Sequence, residues 1–543
     1  MNRLDLSISA DKARNLTSIG LFVDFEKAFD SVWKKGLLVK LNRLGIQGNI
    51  IHLIDNFLNT REIKLNINGH LGNTRNTLEY GLPQGSVISP VLFKIFVSDF
   101  VSDLTQDPNI ELLKFADDGT IKVSAPDSTT CVKSLNHVLK SLNDWSRKWR
   151  LKINCDKDKT EVICFNCAER DSTIIPNVFK LGDKDIQRVS QTKVLGLLID
   201  ENLSYKPHSE ELLKSLQGRW AMICKYSNKH WGFNVMVMLH LLRALFILKT
   251  SYAGHIWYTN ENAAEINKLF YRMLKAFTGA VLNINQTVAE IILGIPPLRI
   301  QLQVHSVKHY LKINFSQVPN DIYKKFLYES YQTTKQPQVM DHKLKDVFHF
   351  LEWKVKLHSS EFSPEDLEII YNRSYSEFTK LSAKSCHYTR NMITKYTEEL
   401  WSTSNRVIFQ LDGYPSAPVV SSKPIPIPRN TPRETEVKLI SLFYKNNLLN
   451  QSLYKLDRAP SPMCPYCNQE EETPDHLLFR CAYVDLQLRN NAIDAFESAL
   501  KGTDTVVKSD TFISLLSACK SDKFVKCCTD IVNCLNIKLD VVL

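Results

Sequence analysis

The chain has 543 residues, 44% of them apolar and 23% charged. It is too long for one ordinary core, so three or four domains are expected, and its mixed composition excludes a membrane bundle, a collagenous repeat or a chain dominated by disorder. Only 18 glycines beside 26 phenylalanines and 19 tyrosines favour helix with aromatic packing, and the net charge of +10 suits a polyanionic partner.

From Ser18 the run SIGLFVDF reads as a buried strand ending in an acid. Apolar residues at helical spacing follow over 27–44, and a second short helix over 50–58. The stretches 63–67 and 77–80 suggest a hairpin around Asn68-Gly69. A loop over 81–90 leads into a helix over 91–104. Two apolar runs, 111–116 and 120–123, flank Asp117-Asp118-Gly119, a tight-hairpin signal. A helix is expected over 131–149 and strands over 161–165 and 193–199, so helices and strands alternate to about residue 200. Beyond that the pattern is almost purely helical (208–229, 235–252, 263–277). Residues 300–415 show no clear pattern. Prolines crowd Tyr414 to Pro432, which reads as an extended linker. A helix over 434–444, a Cys/His segment and a helical tail close the chain, and no internal repeat is found.

Thirteen scattered cysteines, an odd number, do not form a disulfide framework, and a reducing compartment is favoured. The opening residues lack the apolar core of a signal peptide. The most apolar stretch, 235–248, is broken by His240 and Arg243 and reads as a buried helix, not a membrane span. A soluble intracellular protein in contact with nucleic acid is expected; nucleus and cytoplasm both fit, with no targeting signal read.

Two features carry chemistry. Asp24 ends a buried strand, and Asp117 and Asp118 sit at a hairpin tip. Carboxylates forced together repel unless cations offset them, and Asp oxygens are the ligands Mg²⁺ prefers. Alone, Asp-Asp-Gly is more often just a solvated turn, with Asp24 a helix cap. The second feature is Cys464-Pro-Tyr-Cys467 with His476 and Cys481 downstream, a C-x2-C-x8-H-x4-C pattern that suits tetrahedral zinc.

The company the acids keep is more specific. LFVDFEKAFDSV (21–32), GLPQGSVISP (81–90), FADDG (115–119), WRLKINCDKDKTEVICF (149–165) and KVLGLLID (193–200) occur in this order. Together they resemble the successive palm motifs of reverse transcriptases of non-LTR (LINE-like, jockey-type) retrotransposons. The resemblance implies an α+β right-hand polymerase palm lacking most of the fingers, then a helical thumb and a small zinc knuckle. The expected division is 1–200 palm, 201–300 thumb, 301–430 connector ending in the proline-rich linker, 431–495 knuckle region and 496–543 helical tail. The implied activity is RNA-directed DNA polymerase, a nucleotidyltransferase of a transposable element. Its partners would be an RNA template, a DNA primer and deoxynucleoside triphosphates, with no membrane.

By the same resemblance Asp24, Asp117 and Asp118 would be catalytic ligands of two Mg²⁺ ions. Phe25, Phe29, Gln84 and Gly85 would bind the nucleotide, Phe29 under its sugar. Asn154 opens the fourth motif, where a two-residue insertion leaves two lysines: Lys159 keeps the Thr neighbour and is preferred, while Lys157 keeps the spacing from Asn154. Such a lysine could protonate the departing pyrophosphate. Lys214, Arg219, Lys225, Lys229 and Arg243 could grip a duplex backbone. Cys464, Cys467, His476 and Cys481 match the C-terminal CCHC segment of the same proteins and would hold Zn²⁺. Only 23 residues precede Asp24, so the chain reads as N-terminally truncated. A non-catalytic nucleic-acid-binding remnant is the alternative.

Overall fold

The computed structural model describes residues 2–314 except 60–61, 65, 73–74, 77–79, 102–103, 105–106, 168–173, 227, 229 and 281–283. It further describes residue 350, and residues 390–535 except 412–416, 419, 429–430, 445–448 and 502–510. The described residues up to His208 form one compact unit and those from Ser209 a second.

The first unit is built on β1 (Thr17–Val23), which is buried along its whole length. It follows α1 (Asn2–Ala13). Next come α2 (Lys34–Arg43), α3 (Asn49–Asn59) and four two-residue strands, β2 (Glu62–Ile63), β3 (Asn66–Ile67), β4 (His70–Leu71) and β5 (Arg75–Asn76). The expected turn at Asn68-Gly69 is present and joins β3 to β4, both residues having positive φ (50° and 87°), as a two-residue type I′ turn requires, but its partner strand is His70–Leu71 and not 77–80, of which 77–79 lie outside the described residues. Then follow α4 (Ser89–Phe96), β6 (Ile110–Phe115), β7 (Asp118–Ala125), α5 (Ser128–Trp149) and β8 (Glu161–Phe165). Two hairpins complete the unit, β9 (Val178–Leu181) with β10 (Lys184–Arg188), and β11 (Gln191–Val194) with β12 (Leu197–Asp200).

The main sheet has the order β6-β7-β1-β8-β10-β9, antiparallel except where β10 joins β8. Period-two alternation gives its faces opposite characters. Ile19, Leu21 and Val23 of β1 and Ile121 and Val123 of β7 enter the apolar core with Leu37, Leu41, Phe93, Phe96, Leu135 and Leu139 of the helices. On the other face α1 meets a polar network: Lys122 Nζ lies 2.5 Å from Asp11 Oδ2, which also accepts from Ser18 Oγ (2.9 Å) and Ser124 Oγ (2.6 Å). Arg3 pairs with Glu111 at 2.7 Å on the same face. A buried lysine is tolerated there because its charge and protons all find partners.

Three local expectations are corrected. The helix placed over 27–44 begins only at Lys34, because Lys27 takes a left-handed backbone (φ 47°) and Ser31 closes a turn onto Lys27 O and Glu26 O. The 115–119 turn is shifted by one residue: Ala116 (φ 52°) and Asp117 form it, while Asp118 and Gly119 already belong to β7. Gly119 serves packing instead, since a Cβ there would meet Phe100 at 3.3 Å. Finally, 193–199 is two strands, because Leu195 and Gly196 adopt positive φ and turn the chain.

The second unit is helical. It contains α6 (Lys206–Cys224, which starts in the first unit), and α7 (Val235–Leu241) running through a π-helical stretch (Leu242–Ile247) into α8 (Leu248–Ser251). There follow α9 (Gly254–Trp257), α10 (Ala264–Thr278), α11 (Gln286–Leu293), α12 (Leu298–Asn314) and a helix over Arg390–Leu411. Helices over Arg433–Ser441, Asn450–Tyr454, Leu486–Ala499, Thr511–Ala518 and Asp522–Leu535 complete it.

The described residues of the proline-rich stretch form neither helix nor strand and are tied down. Ile425 N donates to Ile292 O at 2.9 Å, and Lys520 Nζ donates to Lys423 O at 2.6 Å. Gly294 (φ 62°) allows this approach, because a Cβ there would lie 2.2 Å from the Lys423 backbone. A buried Arg433–Glu436 pair (3.3 Å) makes a second tie: Arg433 donates to Phe277 O and Glu436 accepts from Val235 N. Among the described residues no helix is long and apolar enough to cross a membrane.

Candidate active site and metal centre

Asp24 follows the last residue of β1, and register pairs Val23 with Gly119, so Asp24 and Asp118 lie at the same end of neighbouring strands. Asp117 occupies the adjoining turn. Partial burial, then the charges of Asp117 and Asp24, push the Asp118 carboxyl above its ordinary range. That is the electrostatic signature of carboxylates crowded together without full compensation. Among the described residues these three acids are not drawn into one ligand-distance cluster.

Asp24 is instead held from the β8 side. Its backbone N donates to Thr160 Oγ1 (3.2 Å) and its backbone O accepts from Asn154 N (2.8 Å). Asn154 Nδ2 also donates to Asp24 Oδ2 at 3.2 Å, and Lys159 Nζ lies 3.7 Å from the same oxygen. Asn154 therefore fixes both the strand end and the carboxylate, a role sequence reasoning did not assign. Its only sequence signal was its place at the head of the lysine motif. Lys157 is exposed and makes no ion pair among the described residues.

The nucleotide-binding candidates separate. Phe25 turns its ring into the core, 5.5 Å from Phe100 and 6.1 Å from Trp145, leaving its backbone at the strand end. Phe29 is half-buried and stacks on Phe93 with centroids 4.8 Å apart. Gln84 is exposed and donates from Nε2 to Asp30 Oδ1 at 3.1 Å. Gly85 (φ 84°) has no atom within 4 Å of a built Cβ, so this loop presents open backbone. Gly81 docks the loop against the turn after β1: its N donates to Val32 O, and a Cβ would stand 3.1 Å from Asp30 O. Asp30 is thus a second partner the sequence did not single out.

In the second unit, Cys464, Cys467, His476 and Cys481 bring one ligand atom each within 4.8 Å of one another, the one such His/Cys/Asp/Glu group among the described residues. Cys464 and Cys481 sulfurs are 3.9 Å apart, and Cys467 Sγ lies 3.3 Å from His476 Nε2. Tetrahedral zinc with Zn–S of about 2.3 Å needs sulfurs about 3.8 Å apart, so the donor set fits that ion. His476 Nδ1 faces Glu470 Oε2 at 3.2 Å, leaving Nε2 for a metal. The turn is preset by Asn468 N donating to Cys464 O and Gln469 N to Cys467 Sγ.

Of the basic residues assigned to the second unit, Lys214, Lys225 and Arg243 are exposed, whereas Arg219 is half-buried and donates to Leu245 O. Lys229 lies outside the described residues.

Residues 5–199 match the family model described as reverse transcriptase (RNA-dependent DNA polymerase). Among individual relatives, the Pol polyprotein of the type-1 retrotransposable element R1 of Bradysia coprophila is 25% identical over 271 residues, 50% of this chain and 26% of that protein. The RNA-directed DNA polymerase from mobile element jockey of Drosophila melanogaster is 23% identical over 317 residues, 57% of this chain and 33% of that protein. The match thus spans about a quarter to a third of these relatives' lengths. A structure of telomerase from Candida albicans with a telomeric RNA fragment aligns at 12% identity, covering 70% of this chain and 52% of that one with a TM-score of 0.29. Residues 5–199 are therefore a reverse transcriptase domain related to those of non-LTR retrotransposon polymerases.

Proposed function

We propose that this chain extends a DNA primer on an RNA template, using deoxynucleoside triphosphates. The observation that carries the reading is Asp24 at the end of β1 beside Asp118 of the adjacent β7 and Asp117 of its turn, inside a reverse transcriptase domain. Two Mg²⁺ ions held by Asp24, Asp117 and Asp118 would activate the primer hydroxyl and offset charge on the leaving pyrophosphate. Asn154 orients the Asp24 carboxylate. Phe29, braced by Phe93, lies under the incoming sugar, the Phe25 backbone borders it, and Gln84 with Gly85 meets the nascent pair. Residues 201–300 form the thumb, with Lys214, Lys225 and Arg243 on phosphates. Residues 431–495 carry a Zn²⁺ knuckle, with 301–430 as connector and 496–543 as tail, and the setting is intracellular.

Primer extension by the full chain on an RNA template tests the reading. Absence of extension, with template–primer still bound, would assign the chain to the non-catalytic binding alternative. Lys159 is the motif lysine, supported by its 3.7 Å approach to Asp24. As general acid for pyrophosphate it contributes about 10²-fold or more, so Lys159→Ala should slow extension by that factor while Lys157→Ala changes it little. Equal effects of the two variants would remove the assignment.

The purified chain is expected to hold one zinc, released by Cys464→Ser. Elemental analysis checks this, and an unchanged zinc content in the variant would discard the site. Because structural zinc binding is also folding free energy, chelation should lower the unfolding midpoint of the second unit.

A further inference from the structure

Between Glu211 and Glu261 the chain has no acidic residue, while it carries six lysines and arginines. Within this stretch, where α6 ends and the chain turns back toward α7, apolar side chains lie open to solvent: Met222 is 66% exposed, Tyr226 54%, Trp231 58% and Phe233 37%. A Trp that exposed, beside two further open rings, is not core packing.

Its described residues are tied to one another by backbone hydrogen bonds. Asn228 N donates to Trp231 O at 3.1 Å, and Phe233 N to Tyr226 O at 2.9 Å. Tyr226 and Phe233 rings lie 5.3 Å apart, tilted by 30°. Gly232 has φ 113°, and a Cβ there would lie 2.2 Å from Tyr226 O, so only glycine lets the two arms approach. From behind, buried Arg433 donates to Asn228 O at 3.2 Å, and His230 Nδ1 stands 3.9 Å from Glu434 Oε2. Glu434 is the acid facing this turn, and it also pairs with Lys438 at 3.1 Å.

Preset aromatic faces in basic surroundings are what binds single-stranded nucleic acid without sequence preference: each base has a π-face to stack, and the cations follow the backbone. We propose that the Tyr226–Trp231–Phe233 turn is a stacking platform for unpaired bases of single-stranded nucleic acid, with Lys225 serving an adjacent phosphate. Binding at the platform does not depend on catalysis.

The test is binding of a labelled oligothymidylate and of a blunt duplex to the full chain, without nucleotide or Mg²⁺, followed by fluorescence anisotropy over a salt series. Trp231→Ala should weaken oligothymidylate binding about tenfold or more, since one stacked base contributes that much. Duplex affinity should hold within twofold, and Trp231→Phe should keep most single-strand affinity. The salt slope should be unchanged by Trp231→Ala but reduced by about one by Lys225→Gln. Unchanged single-strand affinity in Trp231→Ala, or equal losses on both ligands, overturns the proposal. Because no chemistry is read, an inactive polymerase leaves this result standing, and the converse also holds.

Discussion

Replacing Asp24 by asparagine is expected to reduce primer extension by at least about 10³-fold, roughly 4 kcal/mol of transition-state stabilisation, with template–primer affinity little changed. Asparagine keeps the side chain's size and can still accept from Asn154 Nδ2, which now lies 3.2 Å from Asp24 Oδ2. The backbone bonds from Asn154 N and to Thr160 Oγ1 are untouched by the substitution. What is lost is one negative charge at the end of β1, next to Asp118 and the Ala116-Asp117 turn, and with it the hard oxygen ligand proposed for Mg²⁺. Rate loss without unfolding is therefore the expected pattern, checked by steady-state extension together with circular dichroism. A variant retaining more than a tenth of the rate would refute metal ligation by Asp24.

The second large effect concerns stability. Glu290 on α11 is 2% exposed and accepts from Gln286 Nε2 at 2.8 Å. Burial raises its pKa from 4.5 to about 8, against the smaller opposing effect of the Gln286 bond. The folded chain thus keeps this proton while the unfolded chain releases it, so stability falls as pH rises from about 4.5 to about 8. At about 1.4 kcal/mol per unit, the loss amounts to a few kcal/mol across that window. Glu290→Gln keeps the shape and the acceptor for Gln286 but cannot ionise. Its urea midpoint should stay nearly level between pH 5.5 and 8 while that of the parent chain declines. Parallel curves for the two proteins would show that Glu290 does not carry this dependence.

Much of the first unit was legible because its signals are local. The alternation SIGLFV fixes which face of β1 is apolar, and the Asn68-Gly69 turn requires nothing beyond its own two residues. The misplacements arose where tertiary packing overrides the local signal. Gly119 looks like a turn residue but is small to admit Phe100, and Phe29 and Val32 have helical spacing although Lys27 breaks the helix before Lys34. The β9–β10 hairpin is hard to read from sequence because its strands are only four and five residues long, β10 is largely polar, and only Gly182 (φ 62°) marks the turn. At the site, residue types named the acids and the Cys/His set, but not the contacts that orient them. Asn154 meets Asp24 across 130 positions and Asp30 meets Gln84 across 54, separations that no periodicity encodes.

The loop between Asn154 and Thr160 is closed at its base, where Thr160 N donates to Asn154 O at 3.2 Å. Both ends of the loop are anchored to Asp24, and from between them Lys159 reaches back to the same carboxylate. Such a closure isolates the loop's length from the strands it connects. A two-residue insertion there changes which lysine reaches the carboxylate but leaves the ladder intact. One residue added within β1 or β7 would instead turn every side chain of that strand to the opposite face. Related sequences should therefore show insertions and deletions tolerated between Asn154 and Thr160, and almost none between Thr17 and Asp24 or between Asp118 and Ala125.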